Sequence, residues 1–226
     1  MPILRKVNRD FFKKWNEDMA YVLGFFAADG YVTKNKRGGC FWSIQIVDKE
    51  LLEQIKVAIG SNHKIGIRVP KNSSKKLYRL QIGSKEMCND LNRLGMRMKK
   101  TKTMLFPLVP RKYLRHFIRG YFDGDGHVWV GQNIKNGLKT YNQTIEIGFT
   151  SSSKLLLIDL MNKLSMLGLK GGSLICRETF FRLQYSIHDS IRFYHILYDK
   201  IDANLCLDRK RLVFEKYLKY RNAPVV

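Results

Sequence analysis

The stretch Val22-Leu23-Gly24-Phe25-Phe26-Ala27-Ala28-Asp29-Gly30 decides how this chain is read, because it returns as Ile118-Arg119-Gly120-Tyr121-Phe122-Asp123-Gly124-Asp125-Gly126. Each copy is an apolar run with small residues one helical turn apart, closed by Asp-Gly. Gly24 and Ala28, like Gly120 and Gly124, stand at i and i+4 and so share one helix face. Small residues there let two helices approach closely. The terminal Gly suits the left-handed residue that ends many helices. If the two helices pack side by side and parallel, Asp29 and Asp125 emerge at the same end. That end carries the negative pole of both helix dipoles, where carboxylates need a cation to neutralise them. The pattern therefore predicts a divalent-metal site on Asp29 and Asp125.

Outward from the motif, the repeat continues through most of the chain. After the first Asp-Gly, alternation predicts strands at Tyr31–Asn35 and Phe41–Val47, an amphipathic helix over Lys49–Ile59, strands at Lys64–Val69 and Lys76–Ile82, and a helix at Lys85–Leu94. The second half repeats the order with His127–Gln132, Thr144–Thr150, a helix over Ser153–Leu167, Ser173–Arg177, Phe180–Ile187 and a helix near Ser190–Tyr198. Each half is read as α-β-β-α-β-β-α, an α+β fold. The joint runs through Lys99–Arg115, where Pro107 and Pro110 break regular structure, which gives halves 1–106 and 107–226.

Alternation also assigns faces. Tyr78, Leu80 and Ile82 are expected to pack on helices, which leaves Leu77, Arg79 and Gln81 on the other side. In the matching strand the outer set is Phe180, Arg182, Gln184 and Ser186. Ser43 shares a face with Gln45, Lys64 with Arg68, and Thr144 with Glu146, and Arg177 ends its strand among them. A sheet with helices on one side and Arg, Gln, Ser, Thr and Lys on the other suits a DNA major groove, where Arg and Gln read guanine and adenine edges. The alternative for any single residue is plain solvation. Trp15, Trp42 and Trp129 are assigned to the core or an interface by default.

The two motif copies resemble the LAGLIDADG homing endonuclease family in its single-chain, two-motif form. The second copy is close to the wording common there, and the first departs from it at Ala27, where an Asp is usual. In that family the first Asp mainly supports the helix end and the last binds metal. The resemblance implies paired motif helices at the interface of the halves and two antiparallel sheets forming a saddle over DNA. It also implies two or more Mg²⁺ ions on Asp29 and Asp125 and a staggered double-strand break with 3′ overhangs. Two late Lys-rich segments look like those that bring a Lys to the edge of the family's active site. By motif these residues are Lys100 and Lys210, with Lys102 a rival for Lys100; simple phosphate anchoring is the alternative role. Asp123 is expected to cap or brace the helix end, with metal contact the alternative, and His127 to be a sheet-surface residue, with contact to the scissile region the alternative; Tyr31 is its counterpart in the first half.

Composition supports this reading. The chain has 226 residues, with 41 Lys+Arg against 19 Asp+Glu and a net charge of +22. Its hydrophobic fraction of 45% provides a real core, so the charge belongs to a folded protein and points to a polyanion. An anionic membrane is less suited, since no apolar stretch of spanning length or lipidation signal is present. Cys40, Cys88, Cys176 and Cys206 are isolated and fit reduced thiols in a soluble intracellular protein. The His residues are scattered, so zinc is not expected. The basic segment Arg209–Arg221 reads as a helix along phosphates or a solvated face. With neither a nucleophilic first residue nor a His-Asn ending, the chain is read as freestanding and as a monomer with no protein partner. The halves differ at nearly every groove-facing position, so an asymmetric DNA target is expected. The competing reading is a non-cleaving nucleic-acid-binding protein, such as an intron-splicing maturase.

Overall fold

A computed structural model describes residues 5–70, 75–96, 104–135, 138–199 and 205–221, apart from the side chains of 133–135 and 138–142. The order of elements repeats. Helix α1 (Glu17–Asp29) leads to β1 (Gly30–Lys34), β2 (Cys40–Ile46), α2 (Lys49–Ala58), β3 (Gly66–Arg68), β4 (Leu77–Gly83) and α3 (Lys85–Arg93). After a 3₁₀ turn at Arg111–Tyr113 come α4 (Leu114–Asp125), β5 (Gly126–Lys135), β6 (Leu138–Ser151), α5 (Lys154–Met166), β7 (Ser173–Cys176), β8 (Phe181–Tyr185) and α6 (Ile187–Leu197). A last helix, α7, covers Asp208–Arg221. The protein is α+β, with two αββαββα repeats and two four-stranded antiparallel sheets of matching order, β1-β2-β4-β3 and β5-β6-β8-β7.

By packing, the chain divides into two compact units. The first gathers Met1–Lys100, Pro107–Gly124 and Asp202–Cys206, and the second Thr101–Phe106, Asp125–Ile201 and Leu207–Val226. In the first unit, alternation turns Trp42, Ile44, Leu80 and Ile82 to one face of the sheet, all fully buried with Leu52 and Ile55 of α2 and Met87 and Leu91 of α3. Each such side chain contributes about 1.5–3 kcal/mol by leaving water. The Trp42 ring meets Phe12 and Phe26 edge-on at 5.6 and 6.1 Å. In the second unit the equivalent layer is Ile145, Ile147, Phe149 and Leu183, buried with Leu157 and Leu160 of α5, Phe193 of α6 and Phe214 of α7. A buried serine links helix to sheet there. Ser190 Oγ accepts from the Ile147 N–H at 3.1 Å and donates to the Tyr185 carbonyl at 2.9 Å.

Helix starts follow side-chain chemistry. Asn16 Oδ1 accepts from the Met19 N–H at 2.7 Å, Ser84 Oγ from Met87 at 3.2 Å and Ser153 Oγ from Leu156 at 3.3 Å. Each thereby satisfies one of the open donors of a first turn.

The small-residue faces of α1 and α4 do what their spacing predicts, and they do it within the first unit. A Cβ added to Gly24 would lie 2.0 Å from the Phe117 carbonyl oxygen, and one on Gly120 would lie 2.0 Å from the Tyr21 carbonyl oxygen. A Cβ on Gly124 would lie 2.4 Å from that of Ala28. The contacts advance in the same sense along both helices, so they run parallel with backbones touching. A side chain at Gly24 or Gly120 would meet backbone, and only separation of the helices could accommodate it.

One expectation is corrected at the end of α1. Gly30 is not left-handed: its φ is −91° and its ψ 152°, and it begins β1 directly. Glycine is required there because a Cβ would sit 2.1 Å from Phe26 Cδ2. The chain turns from helix into strand with no intervening loop, and the Phe26 ring fills the inside of the bend.

Candidate functional site

Asp29 is the last residue of α1 and Asp125 the last of α4. Asp29 is half-buried and Asp125 exposed. Gly124 opens the space for the first carboxylate, since Asp29 Oδ2 lies 3.2 Å from where a Gly124 Cβ would stand. This cradle and its oxygen-only donors suit a hard, partly hydrated cation such as Mg²⁺. Among the described residues no group of three or more His, Cys, Asp and Glu is gathered as a dedicated metal cage.

Asp123 has a different environment. It is 1% exposed, and the Tyr21 hydroxyl donates to its Oδ2 at 2.7 Å. Arg119, 2% exposed, donates through Nε to the Leu205 carbonyl at 3.2 Å and lies over the Tyr21 ring at 5.2 Å. The carboxylate of Asp123 is thus tied into the packing of α1 against α4, in keeping with a bracing role.

Lys210 lies in the first turn of α7 and is only 6% exposed. Its ammonium donates to the carbonyl of Gly126, the residue that follows Asp125. This hydrogen bond holds a buried ammonium against the backbone at the junction of α4 and β5. His127 sits next along β5, its ring over Gly148, where a Cβ would fall 2.3 Å from His127 Cε1. Burial, with the positive charges of Arg182 and Lys210, holds its pKa below the usual histidine value. Lys100 and Lys102 lie outside the described residues.

Strand register shows which of the candidate side chains share a sheet face. In the first sheet Arg79 stands between Gln45 and Gly66, and Gln81 beside Ser43, which in turn faces Tyr31. Arg79, Arg68 and Lys64 are exposed, and Gln45 and Gln81 half-buried. Lys64 precedes β3 and does not belong to it. In the second sheet Arg182 stands between Thr150 and Ile175, Gln184 between Gly148 and Ser173, and Glu146 opposite Trp129. Glu146 and Gln184 are half-buried. Arg182 Nε is buried with no hydrogen-bond partner among the described residues, a donor left over by the fold. Arg177 is exposed just past β7, where its N–H closes the turn onto the Phe180 carbonyl at 2.9 Å.

Four assignments change. Ser43, expected to be open to a groove, is fully buried, because a small side chain in a central strand is flanked by the larger Tyr31 and Gln81 on the same face. Thr144 is also buried, at 8% exposure. Ser186 is exposed but is not a strand residue. It is the residue before α6, with the extended backbone of an N-cap, which alternation alone reads as one more strand position. Trp129, assigned to the core or an interface by default, is not in the core: it is 45% exposed on the polar face, where its alternation with His127 and Gly131 places it.

Duplicated αββαββα repeats, each opening with a helix that ends on Asp and passes into a strand at Gly, define a two-copy protein. Residues 16–94 and 112–193 match the LAGLIDADG-like domain, and the chain belongs to that family. Among curated relatives, the uncharacterized protein MJ0398 of Methanocaldococcus jannaschii is 24% identical over 213 residues, or 89% of this chain and 72% of that one. The replication factor C small subunit of the same organism is 28% identical over 116 residues, half of this chain but 6% of that much longer protein. Its RNA polymerase subunit Rpo1C is 32% identical over 125 residues, 54% of this chain and 14% of that one. Among solved structures, the LAGLIDADG meganuclease I-AabMI bound to uncleaved DNA superposes with a TM-score of 0.59 at 15% identity, covering 91% of this chain and 90% of that one. I-SmaMI bound to an uncleaved DNA target in the presence of calcium ions gives 0.58 at 15% identity over 91% and 90%. These likenesses establish a shared fold. Among the described residues no helix is long and apolar enough to cross a membrane.

Proposed function

We propose that the chain is a site-specific DNA endonuclease that makes a staggered double-strand break, with 3′ overhangs, in a long asymmetric target. The observation that carries this reading is the pair of motif helices, each closing on an Asp at the mouth of a sheet whose outer face is polar. Asp29 and Asp125 would hold the divalent ions, Mg²⁺ by their oxygen chemistry, and the calcium ions in the I-SmaMI complex support divalent-metal use. Bound there, such ions supply charge neutralisation at the scissile phosphate and acidify water. Lys210, buried and donating to the Gly126 carbonyl, would offset charge that develops on the phosphate. Lys100, or Lys102 in its place, is assigned the same role for the first half.

Base readout falls to the sheet faces, with Arg79, Gln81, Gln45, Arg68 and Lys64 for the half at 1–106, and Arg182, Gln184, Glu146 and Arg177 for the half at 107–226. Each sheet would enter a major groove, and neighbouring major-groove faces lie about 10 base pairs apart. The footprint should therefore approach two helical turns. A non-cleaving binder is disfavoured, since Asp29 and Asp125 would repel the phosphates they face without serving recognition.

Selection of cleaved DNA from a random library in Mg²⁺ tests activity and target together. On the selected site, Asp29→Asn and Asp125→Asn should each abolish double-strand cleavage while leaving affinity within about tenfold, or about 1.4 kcal/mol, since neither is assigned a base contact. Ca²⁺ in place of Mg²⁺ should permit binding without cutting. Full cleavage by either single variant would overturn the paired-carboxylate site.

A further inference from the structure

The three tryptophans of the chain have different fates. Trp42 is fully buried, and Trp15 stacks on Tyr113 with ring centroids 6.3 Å apart. Trp129 is 45% exposed, on the polar face of the second sheet, directly opposite Glu146. Gly131, two positions along the same strand, explains how the indole lies. A Cβ there would fall 2.2 Å from Trp129 Cζ2 and 2.7 Å from Cη2. The six-membered ring therefore rests along the strand over Gly131, and any other residue would lift it. The strand has given up a side chain to seat an aromatic ring flat on a surface shared with Arg182, Gln184 and Glu146.

Leaving that much apolar area in water is unfavourable, and the ring is on the far side of the sheet from the core. An occupant that covers it has to offer an apolar group. Where a protein face meets the major groove, the apolar group that base pairs present is the thymine C5 methyl. We infer that Trp129 is a specificity-determining residue that reads a thymine methyl in the half-site of the second unit; this rests on the endonuclease reading. Trp129 stands three residues beyond Gly126, roughly 10 Å along the strand, so the thymine lies within a few base pairs of the cut. Glu146 at the same height has only acceptors, which match a cytosine amino group and leave the methyl to the indole.

The test replaces each thymidine of the selected target, one at a time, by deoxyuridine, which removes the methyl and nothing else. One substitution in this half-site should weaken binding by the wild-type protein about fourfold, the value of one buried methyl. Trp129→Ala should bind the thymidine and deoxyuridine forms of that position alike. Tolerance of deoxyuridine throughout the half-site, or an unchanged deoxyuridine penalty in Trp129→Ala, overturns this inference and leaves the endonuclease reading standing. Failure of the selection to return any target overturns the endonuclease reading and this inference with it.

Discussion

A tyrosine hydroxyl and a carboxylate break the likeness of two otherwise matching helix faces. Tyr21 donates to Asp123 at 2.7 Å, while the corresponding positions of the other copy hold Phe117 and Ala27. The equal 2.0 Å approaches at the Phe117 and Tyr21 carbonyls show that Phe117 stands to α1 as Tyr21 stands to α4. One side of the helix pair is thus polar and matched, and the other apolar and matched. Ala27, the departure from the usual motif, has Phe opposite and needs no acceptor. Tyr21→Phe would strip a donor from a carboxylate that is 1% exposed, and Asp123→Ala would strip the acceptor from the hydroxyl. Each should cost about 1–3 kcal/mol, the penalty for an unmatched buried polar group. The double variant restores the Phe–Ala chemistry of the other side, so its loss should be less than the sum by at least about 1 kcal/mol. Urea denaturation of the four proteins measures this, and additive losses would show that the two side chains act independently.

At the scale of elements, α4 carries a titratable group into the packing against α1. His116 is 3% exposed, its Nε2 lies 3.4 Å from Glu17 Oε1, and Arg115 Nε donates to it at 3.1 Å. Burial first, then the positive charge of Arg119, pushes its pKa down to about 4 against the attraction of Glu17. An unfolded chain takes up that proton near pH 6.5, while the folded one resists until about 4. The stabilisation is therefore complete above 6.5 and is lost as pH falls towards 4, on the order of 3 kcal/mol at most. Denaturation at a series of pH values should show a shallower acid limb for His116→Gln than for the wild type; parallel limbs would remove His116 as the cause. Much of this architecture was legible in the sequence, because helix faces and strand alternation are local patterns tied to burial. Gly24 and Gly120 announced the close approach, and Leu80 and Leu183, both fully buried, fell on the faces alternation gave them. What was not legible depended on neighbours distant in sequence. Gly30 answers to the Phe26 ring and not to a left-handed turn, Ser43 is lost between Tyr31 and Gln81, and Ser186 prepares a helix while looking like strand. Of the candidate site, Asp29 and Asp125 follow from the motif, whereas the seating of Trp129 over Gly131 needed coordinates.

Across the whole molecule, a net charge of +22 sets a background that favours any DNA, so selectivity has to come from side chains that discriminate between bases. On the proposed reading that task falls to Arg79 and Arg182, in matching Arg-Leu-Gln runs of β4 and β8, but their settings differ. Arg79 is exposed beside Gln45 and Gly66. Arg182 is half-buried between Thr150 and Ile175 with its Nε already removed from water. A side chain held by its neighbours loses less freedom on binding, so Arg182 should discriminate more sharply than Arg79. Cleavage profiled on all single-base variants of the target should show Arg79→Ala relaxing preference on one side of the cut and Arg182→Ala on the other. Each good bidentate contact is worth about 1–3 kcal/mol, with Arg182 at the upper end. Exposed lysines that touch only phosphate behave differently. Lys64→Ala, by contrast with either Arg, should weaken binding to every variant alike and lower the salt slope by roughly one charge if its partner is a phosphate. If both Arg variants also lose affinity evenly across all sequences, the sheet faces serve as charged surface alone, and base selection must reside elsewhere in the chain.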